Sequence, residues 1–180
     1  MAAGTTTSRA PDVRFLLSSP AHFIALGFGS GLAPKAPGTF GTLVALALFW
    51  FLNLVLAMPP FAIAFVAIPL FAIGLWASEA TARDLGVEDH GSIVIDEIAA
   101  FMPLAALASA SLVLQLVAFG LFRLFDIWKP PPIKYFEQRL KGGLGVMFDD
   151  LVAAAYAYAV MIVVIVVHHK FFQEGITRTL

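Results

Sequence analysis

The sequence predicts an all-α integral membrane protein, with about five transmembrane helices and an interfacial N-terminal helix. Three observations carry that expectation. Of the 180 residues, 60% are hydrophobic and only 13% charged, about half the ~25% charge of an ordinary soluble domain. Apolar runs long enough to cross a bilayer recur along the chain, separated by proline, glycine or charge clusters. Basic residues gather in alternate connections, which is how spanning chains fix their orientation.

The elements follow in order. Residues 1–12 are small and polar and read as a disordered segment. A single membrane-embedded domain over 13–169 follows, then a polar C-terminal tail over 170–180. From Val13 to Phe28 the chain is apolar but interrupted by Ser18, Ser19, Pro20 and His22. A secretory signal needs an unbroken apolar core, so an interfacial helix is the expectation. Gly27 to Thr42 (GFGSGLAPKAPGTFGT) holds five glycines and two prolines in sixteen residues, which argues against a regular element. One reading makes it a turn-rich entry to the first span, with Thr39 as helix N-cap. The other makes it a backbone-rich anion cradle, with Ser30, Gly31 and Lys35 at the positive end of that helix. It is no Walker loop, because the closing Gly-Lys-Ser/Thr is missing.

Thr39–Met58 then forms a first span and Met58-Pro59-Pro60 a tight turn. Phe61–Ser78 crosses back, with Pro69 as an expected kink. A polar loop covers Glu79–Ser92. Ile93–Trp128 is too long for one ordinary span and is split at Ser109-Ala110-Ser111 into two short helices. Lys129–Gly145 is a basic loop and Met147–Val167 a fifth span. With five spans, one side receives Arg9, Arg14, Lys35, Arg83, Lys129, Lys134, Arg139 and Lys141, and the other only Lys170 and Arg178. The positive-inside rule puts the N-terminus in the cytoplasm.

Composition also excludes functions. A net charge of −1 without a basic, aromatic-interleaved patch gives no sign of nucleic-acid binding. With no cysteine, disulfides, thiolate zinc sites and cysteine nucleophiles are all absent.

That topology brings scattered polar groups to one side. The glycine-rich stretch precedes span one and the His90 loop follows span two. Asp96 and Glu97 begin span three, Arg123 and Asp126 end span four, and Asp149 and Asp150 open span five. The opposite turns carry no ionisable residue. An unpaired charge within the bilayer costs roughly 2.5–3.5 kcal/mol, so these groups need compensation. Five carboxylates against Arg123 and Lys129 repel unless some are protonated or a hard cation neutralises them. An oxygen-only donor set favours Mg²⁺ over zinc or copper. Blander readings stand beside this one. Arg123 and Asp126, three apart, can form an intrahelical ion pair. Asp149 and Asp150 can stabilise a helix N-terminus by ~0.3–1 kcal/mol, though one of them would suffice. His90, beside Asp89, is either an exposed loop histidine or a general acid–base. Lys129-Pro130-Pro131-Pro132-Ile133-Lys134 reads as a stiff extended piece holding Lys129 near the membrane plane. Lys134, Arg139 and Lys141 then form a basic stripe around Tyr135 and Phe136, suited to anionic headgroups or simply to fixing topology. Lys141–Gly145 reads as a flexible approach to Asp149. His168 and His169 fall on the other face and mark the water interface.

Four blocks carry a resemblance: GFGSGLAPKAPGTFGT (27–42), HGSIVIDE (90–97), FRLFDIWKPPPI (122–133) and GGLGVMFDDLVA (142–153). In order and spacing the chain resembles the phosphatidylglycerophosphatase A family over roughly Ser18 to His169. The resemblance implies a Mg²⁺-dependent phosphatase of the bacterial inner membrane. It would convert phosphatidylglycerophosphate to phosphatidylglycerol and phosphate at the cytoplasmic face, and 13–169 would be its catalytic domain. By position the resemblance carries over Asp84, just ahead of the second block, and His90, Asp96, Glu97, Arg123, Asp126, Lys129, Asp149 and Asp150 within the blocks.

Our own reading assigns the roles. Asp96, Glu97, Asp126, Asp149 and Asp150 are the metal ligands. Arg123 and Lys129, with Lys35, Ser30 and Gly31, hold the phosphomonoester. His90 or Asp89 handles the leaving-group proton, and attack by water or by an aspartate such as Asp96 or Asp149 is left open. Two other classes compete. A transporter or channel also uses intramembrane carboxylates, but should place polar groups near mid-membrane or on both faces. A lipid phosphotransferase also needs aspartates and Mg²⁺, but on one stretch rather than on three spans.

Overall fold

The structure is a computed structural model that describes residues 10–87, 90–109, 111–131, 133, 139 and 142–177, with side chains as far as Val167. Part of the N-terminal segment (1–9), Asp89, Lys134, Tyr135, Phe136 and Lys141 lie outside the described residues. So do the side chains of His168, His169 and the tail beyond. Among the described residues every regular element is helical, in the order α1 (Val13–Leu17), α2 (Pro20–Ala25), a 3₁₀ turn (Gly27–Leu32), α3 (Pro37–Leu54), α4 (Pro60–Leu85), α5 (Ile95–Leu107), α6 (Leu112–Trp128) and α7 (Gly142–Thr177).

The centre of the bundle is α5. All of its residues are buried except Pro103 and Leu107, and it packs against α3, α4, α6 and α7. Its alanines (Ala99, Ala100, Ala105, Ala106) let neighbouring backbones approach closely, which is how helices associate where water supplies no drive. Between α5 and α6 the buried Phe101 and Phe122 pack together, their ring centroids 5.7 Å apart.

Among the described residues three helices are long and apolar enough to cross a membrane: Pro37–Leu54, Pro60–Leu85 and Gly142–Val167. Their outward faces carry large exposed apolar side chains, including Leu54, Phe61, Phe65, Ile68 and Val163. The expected count is about five spans; among the described residues three helices are of crossing length. At 13 and 17 residues, α5 and α6 reach only about 20 and 25 Å, short of the ~30 Å hydrocarbon core. The break between them falls where the serines stand. Ala108 ends α5, Ser109 is left-handed at φ 53, and the Ser111 hydroxyl caps α6 by accepting from Leu114 N–H.

Several local expectations are corrected. The N-terminal interfacial helix is two short helices, because Ser18 ends α1 and Ser19 with Pro20 starts α2. α2 is packed against α4, with Ala21, His22 and Ala25 buried. Thr39 is not the cap of α3. That helix starts at Pro37, whose missing N–H suits a first turn, after Ala36 in the left-handed region. Helix α4 runs unbroken through Pro69 to Leu85, absorbing the first half of the expected loop, and ends at Gly86 with φ 71. The chain turns at Pro131 instead of extending. Ile133 N–H donates to Pro130 O, and Ile133 is buried.

Finally, Gly142–Gly145 is the first turn of α7 and not a flexible approach. The Glu79 carboxylate, on α4, accepts the Gly143 N–H at 2.8 Å and so puts negative charge at the start of α7. No acidic residue stands in α7's own first turn, so Asp149 and Asp150, two turns in, are not there to stabilise the helix end. Glu79→Ala should lower stability by about 1 kcal/mol, or roughly 2–4 °C in the melting temperature of a chain this size. An unchanged melting profile in detergent would mean the cap contributes nothing.

Candidate functional site

Alternation of helix direction brings the chemistry to one end of the bundle. The start of α3, the end of α4, the start of α5, the end of α6 and the start of α7 meet there. Gly38 of α3 lies against Glu97 and Arg123, Gly74 of α4 against Ile95 and Met147, and Glu79 against Gly143. A cavity of about 130 Å³ opens at this end, lined by Gly91, Ile93, Asp96, Glu97, Asp126, Lys129, Val146, Asp149 and Asp150. Residues more than fifty positions apart thus share one small space.

Asp96, Glu97, Asp149 and Asp150 are all buried. Asp96, Glu97 and Asp150 can each present one carboxylate oxygen so that the three lie within 4.8 Å of one another. Asp96 Oδ1, Glu97 Oε2 and Asp150 Oδ2 are buried and accept no hydrogen bond from the protein. Buried acceptors left unsatisfied cost about 1–3 kcal/mol each, more when charged, and either protons or a bound cation would relieve that cost. The donors are hard oxygens, which fits Mg²⁺. These residues can hold such an ion.

Cations border the acids on one side. Arg123 Nη1 lies 2.8 Å from Asp126 Oδ2 and 3.5 Å from Glu97 Oε1, so the intrahelical pair exists and reaches a second helix. Arg123 Nε is buried with no acceptor, leaving a directional donor beside the cavity. Lys129 Nζ lies 3.2 Å from Asp149 Oδ2. Lys129 closes α6 with φ 45, an unfavourable backbone for a side-chain-bearing residue. The Pro130–Ile133 turn and the Tyr156 hydroxyl, which donates to Pro131 O at 2.7 Å, hold the chain there.

Other sequence-selected residues sit elsewhere. His90 adjoins cavity-lining Gly91, and its Nδ1 accepts the Ser92 N–H at 3.2 Å. A neutral His90 in that bond carries its proton on Nε2. Ser30 Oγ donates to Gly27 O, Lys35 is exposed, and neither lines the cavity. The glycine-rich stretch is a seat for the segment that carries the acids. A β-carbon on Gly31 would collide with the Ser92 carbonyl, and one on Gly38 would collide with Glu97 Oε1. Val94 N–H donates to Ala25 O at 2.9 Å, tying the same segment to α2.

Sequence reasoning missed one polar assembly. Buried His22 contacts Asp84 Oδ2 through Nε2 at 2.8 Å and Ser18 Oγ and Phe15 O through Nδ1 at 2.9 and 3.0 Å, and it stacks on the Phe15 ring. It fastens α1 and α2 to the end of α4. His22 and Asp84 are 62 residues apart, and no local pattern joins them.

Known proteins resemble the chain along most of its length. The Phosphatidylglycerophosphatase A family profile matches residues 23–165. A Haemophilus influenzae protein named phosphatidylglycerophosphatase A is 46% identical over 156 residues, covering 86% of this chain and 94% of its own. An Escherichia coli protein of the same name is 40% identical over 149 residues, covering 82% and 85%. A Bacteroides thetaiotaomicron protein, named provisionally as a phosphatidylinositol-3-phosphatase, is 39% identical over 147 residues, covering 78% and 90%. No solved structure matches. With matches of this identity along nearly the whole of its described bundle, the chain belongs to the phosphatidylglycerophosphatase A family and is an enzyme of the phosphatase class.

Proposed function

We propose that this protein hydrolyses phosphatidylglycerophosphate to phosphatidylglycerol and phosphate, using Mg²⁺, at the cytoplasmic face of a bacterial inner membrane. The observation that carries the reading is the cavity at the end of an apolar bundle, lined by buried carboxylates from α5 and α7 and by Lys129, with Arg123 paired to its Glu97 and Asp126. At about 130 Å³ it is smaller than the ~300–1,000 Å³ of a typical ligand pocket. It therefore suits the phosphoryl end of a substrate whose acyl chains stay in the leaflet. The orientation rests on Lys35 between α2 and α3, Arg83 in the last turn of α4, and Lys129, Lys134, Arg139 and Lys141 between α6 and α7. The hairpin of α5 and α6 returns the chain to the same side whether or not it crosses completely.

Asp96, Glu97 and Asp150 are the residues that would hold the ion, with Asp126 and Asp149 beside them. Bound Mg²⁺ would neutralise them and polarise a phosphoryl oxygen. Arg123 offers its Nε–H to a phosphoryl oxygen, while its ion pairs with Glu97 and Asp126 fix the guanidinium. Lys129 adds a second positive charge where negative charge builds on the departing group. In the overall step water attacks phosphorus and the bond to the glycerol oxygen breaks. His90, once it has taken up a second ring proton, is the candidate donor to that oxygen, with Asp89 the neighbouring alternative. Low dielectric and exclusion of bulk water strengthen each of these contacts.

Phosphate release from phosphatidylglycerophosphate by the full chain in liposomes tests the proposal. We expect chelator to abolish release and added Mg²⁺ to restore it. Undiminished release in excess chelator would remove the metal from the account. Release from phosphatidylinositol 3-phosphate but not from phosphatidylglycerophosphate would move the substrate to the headgroup in the Bacteroides relative's name.

A further inference from the structure

A second cavity lies on the lipid-facing side of the bundle, apart from the acidic one. It is an open trough of about 300 Å³, lined by Ala64, Ala67, Ile68, Phe71, Ala99, Pro103 and Leu151. Every one of these side chains is apolar. The trough shares two walls with the acidic cavity. Ala99 lies one turn beyond Asp96 on α5, Pro103 one turn further, and Leu151 directly follows Asp150 on α7. Its third wall is α4, which runs the opposite way. Gly74 of α4 stands level with Ile95 and Met147, next to the acids. Phe71, Ile68, Ala67 and Ala64 therefore step progressively away from that end, over roughly 10 Å of helix. The trough thus begins about one turn from the acidic groups and descends along the apolar body of the protein. Its floor is made by small side chains, and Ala99 at its back is only 3% exposed.

We propose that this trough seats an acyl chain of the phospholipid whose phosphate enters the acidic cavity. The inference rests on the proposed function and gives that site its specificity for a lipid over a soluble phosphomonoester. An acyl chain is the occupant that the lining and position of the trough support. The lining offers no polar partner, the trough opens to the membrane side, and it starts beside the place where the headgroup phosphate would sit. A chain anchored there would hold its own headgroup against the acids and convert part of the reaction into an intramolecular encounter.

The test fills the trough from the α4 wall, which carries none of the reacting groups. Ala67→Leu and Ala64→Phe are made in the full chain and reconstituted in detergent micelles. They are assayed on long-chain phosphatidylglycerophosphate and on its dihexanoyl analogue. We expect kcat/KM on the long-chain lipid to fall roughly tenfold, through KM, with the short-chain analogue turned over as by the wild type. Equal losses on both substrates, or no loss on either, would overturn the proposal. Wild-type protein inert on both would overturn the proposed function, and this inference with it. A measurement on unaltered protein covers the case in which the variants fail to fold. Phosphatidylglycerophosphate bearing a diazirine in its acyl chain should label peptides holding Phe71 and Leu151. Unlabelled substrate should displace it better than phosphatidylcholine does. Displacement by both lipids alike would show a non-selective lipid contact and would overturn the proposal.

Discussion

Asp150→Asn should reduce phosphate release at least about 100-fold while the protein still inserts and folds. Asp150 is 4% exposed, its Oδ2 has no hydrogen-bond partner, and it lies with Asp96 and Glu97 in one cluster. Asparagine preserves the volume, so packing around α7 is undisturbed. It removes a charge from a place where three like charges meet, which in the absence of a cation relieves repulsion. The variant is therefore expected to be at least as stable as the wild type in chelator, and to lose the extra stability that Mg²⁺ confers on the wild type. A merely structural aspartate would show the opposite pattern, with falling stability and activity that follows the folded fraction. Thermal unfolding with and without Mg²⁺, beside the activity assay, separates the two.

Gly31→Ala should cost about 1–3 kcal/mol of stability, several degrees in melting temperature, and activity should fall with it. The added β-carbon meets the backbone carbonyl of Ser92, which has no rotamer by which to move aside, and stands 3.2 Å from Leu26 Cα. Displacing Ser92 moves the segment that runs into Asp96 and Glu97, four and five residues on. An anion-cradle role would predict a different result, namely weaker substrate binding at unchanged stability. Gly120→Ala serves as the control. Nothing lies within 4 Å of a β-carbon there, and alanine is the better helix former by about 1 kcal/mol, so that variant should be unharmed or slightly stabilised.

These predictions also mark what could be seen in the sequence and what could not. Hydropathy and charge placement pointed to a helical membrane bundle, because span length and one-sided polarity are properties of local composition. The break at Ser109–Ser111 was visible for the same reason: serine favours caps over helix interiors. The Arg123–Asp126 pair could be read from its spacing of three. Its extension to Glu97 depends on how α5 and α6 cross, which spacing along one helix does not encode. The glycine-rich stretch shows the limit most clearly. Its composition signalled close backbone approach, and both a bound anion and a packed neighbour satisfy that signal. Only the fold shows that Gly31 and Gly38 face Ser92 and Glu97. Glu79 looked like one more loop acid, yet it caps a helix that begins 63 residues later. The segments that form α5 and α6 were counted as spans because their apolar character was taken as lipid exposure. In the structure α5 is apolar because it lies inside the bundle.

The central claim is that buried carboxylates of α5 and α7 bind one divalent cation together. Mn²⁺ uptake by the full-length protein in liposomes, followed by electron paramagnetic resonance, tests it without relying on turnover. The account predicts saturable binding to the wild type, displaced by Mg²⁺ and lost in both Asp96→Asn and Asp150→Asn. Undiminished Mn²⁺ binding to the two variants, each shown to be folded, would contradict it.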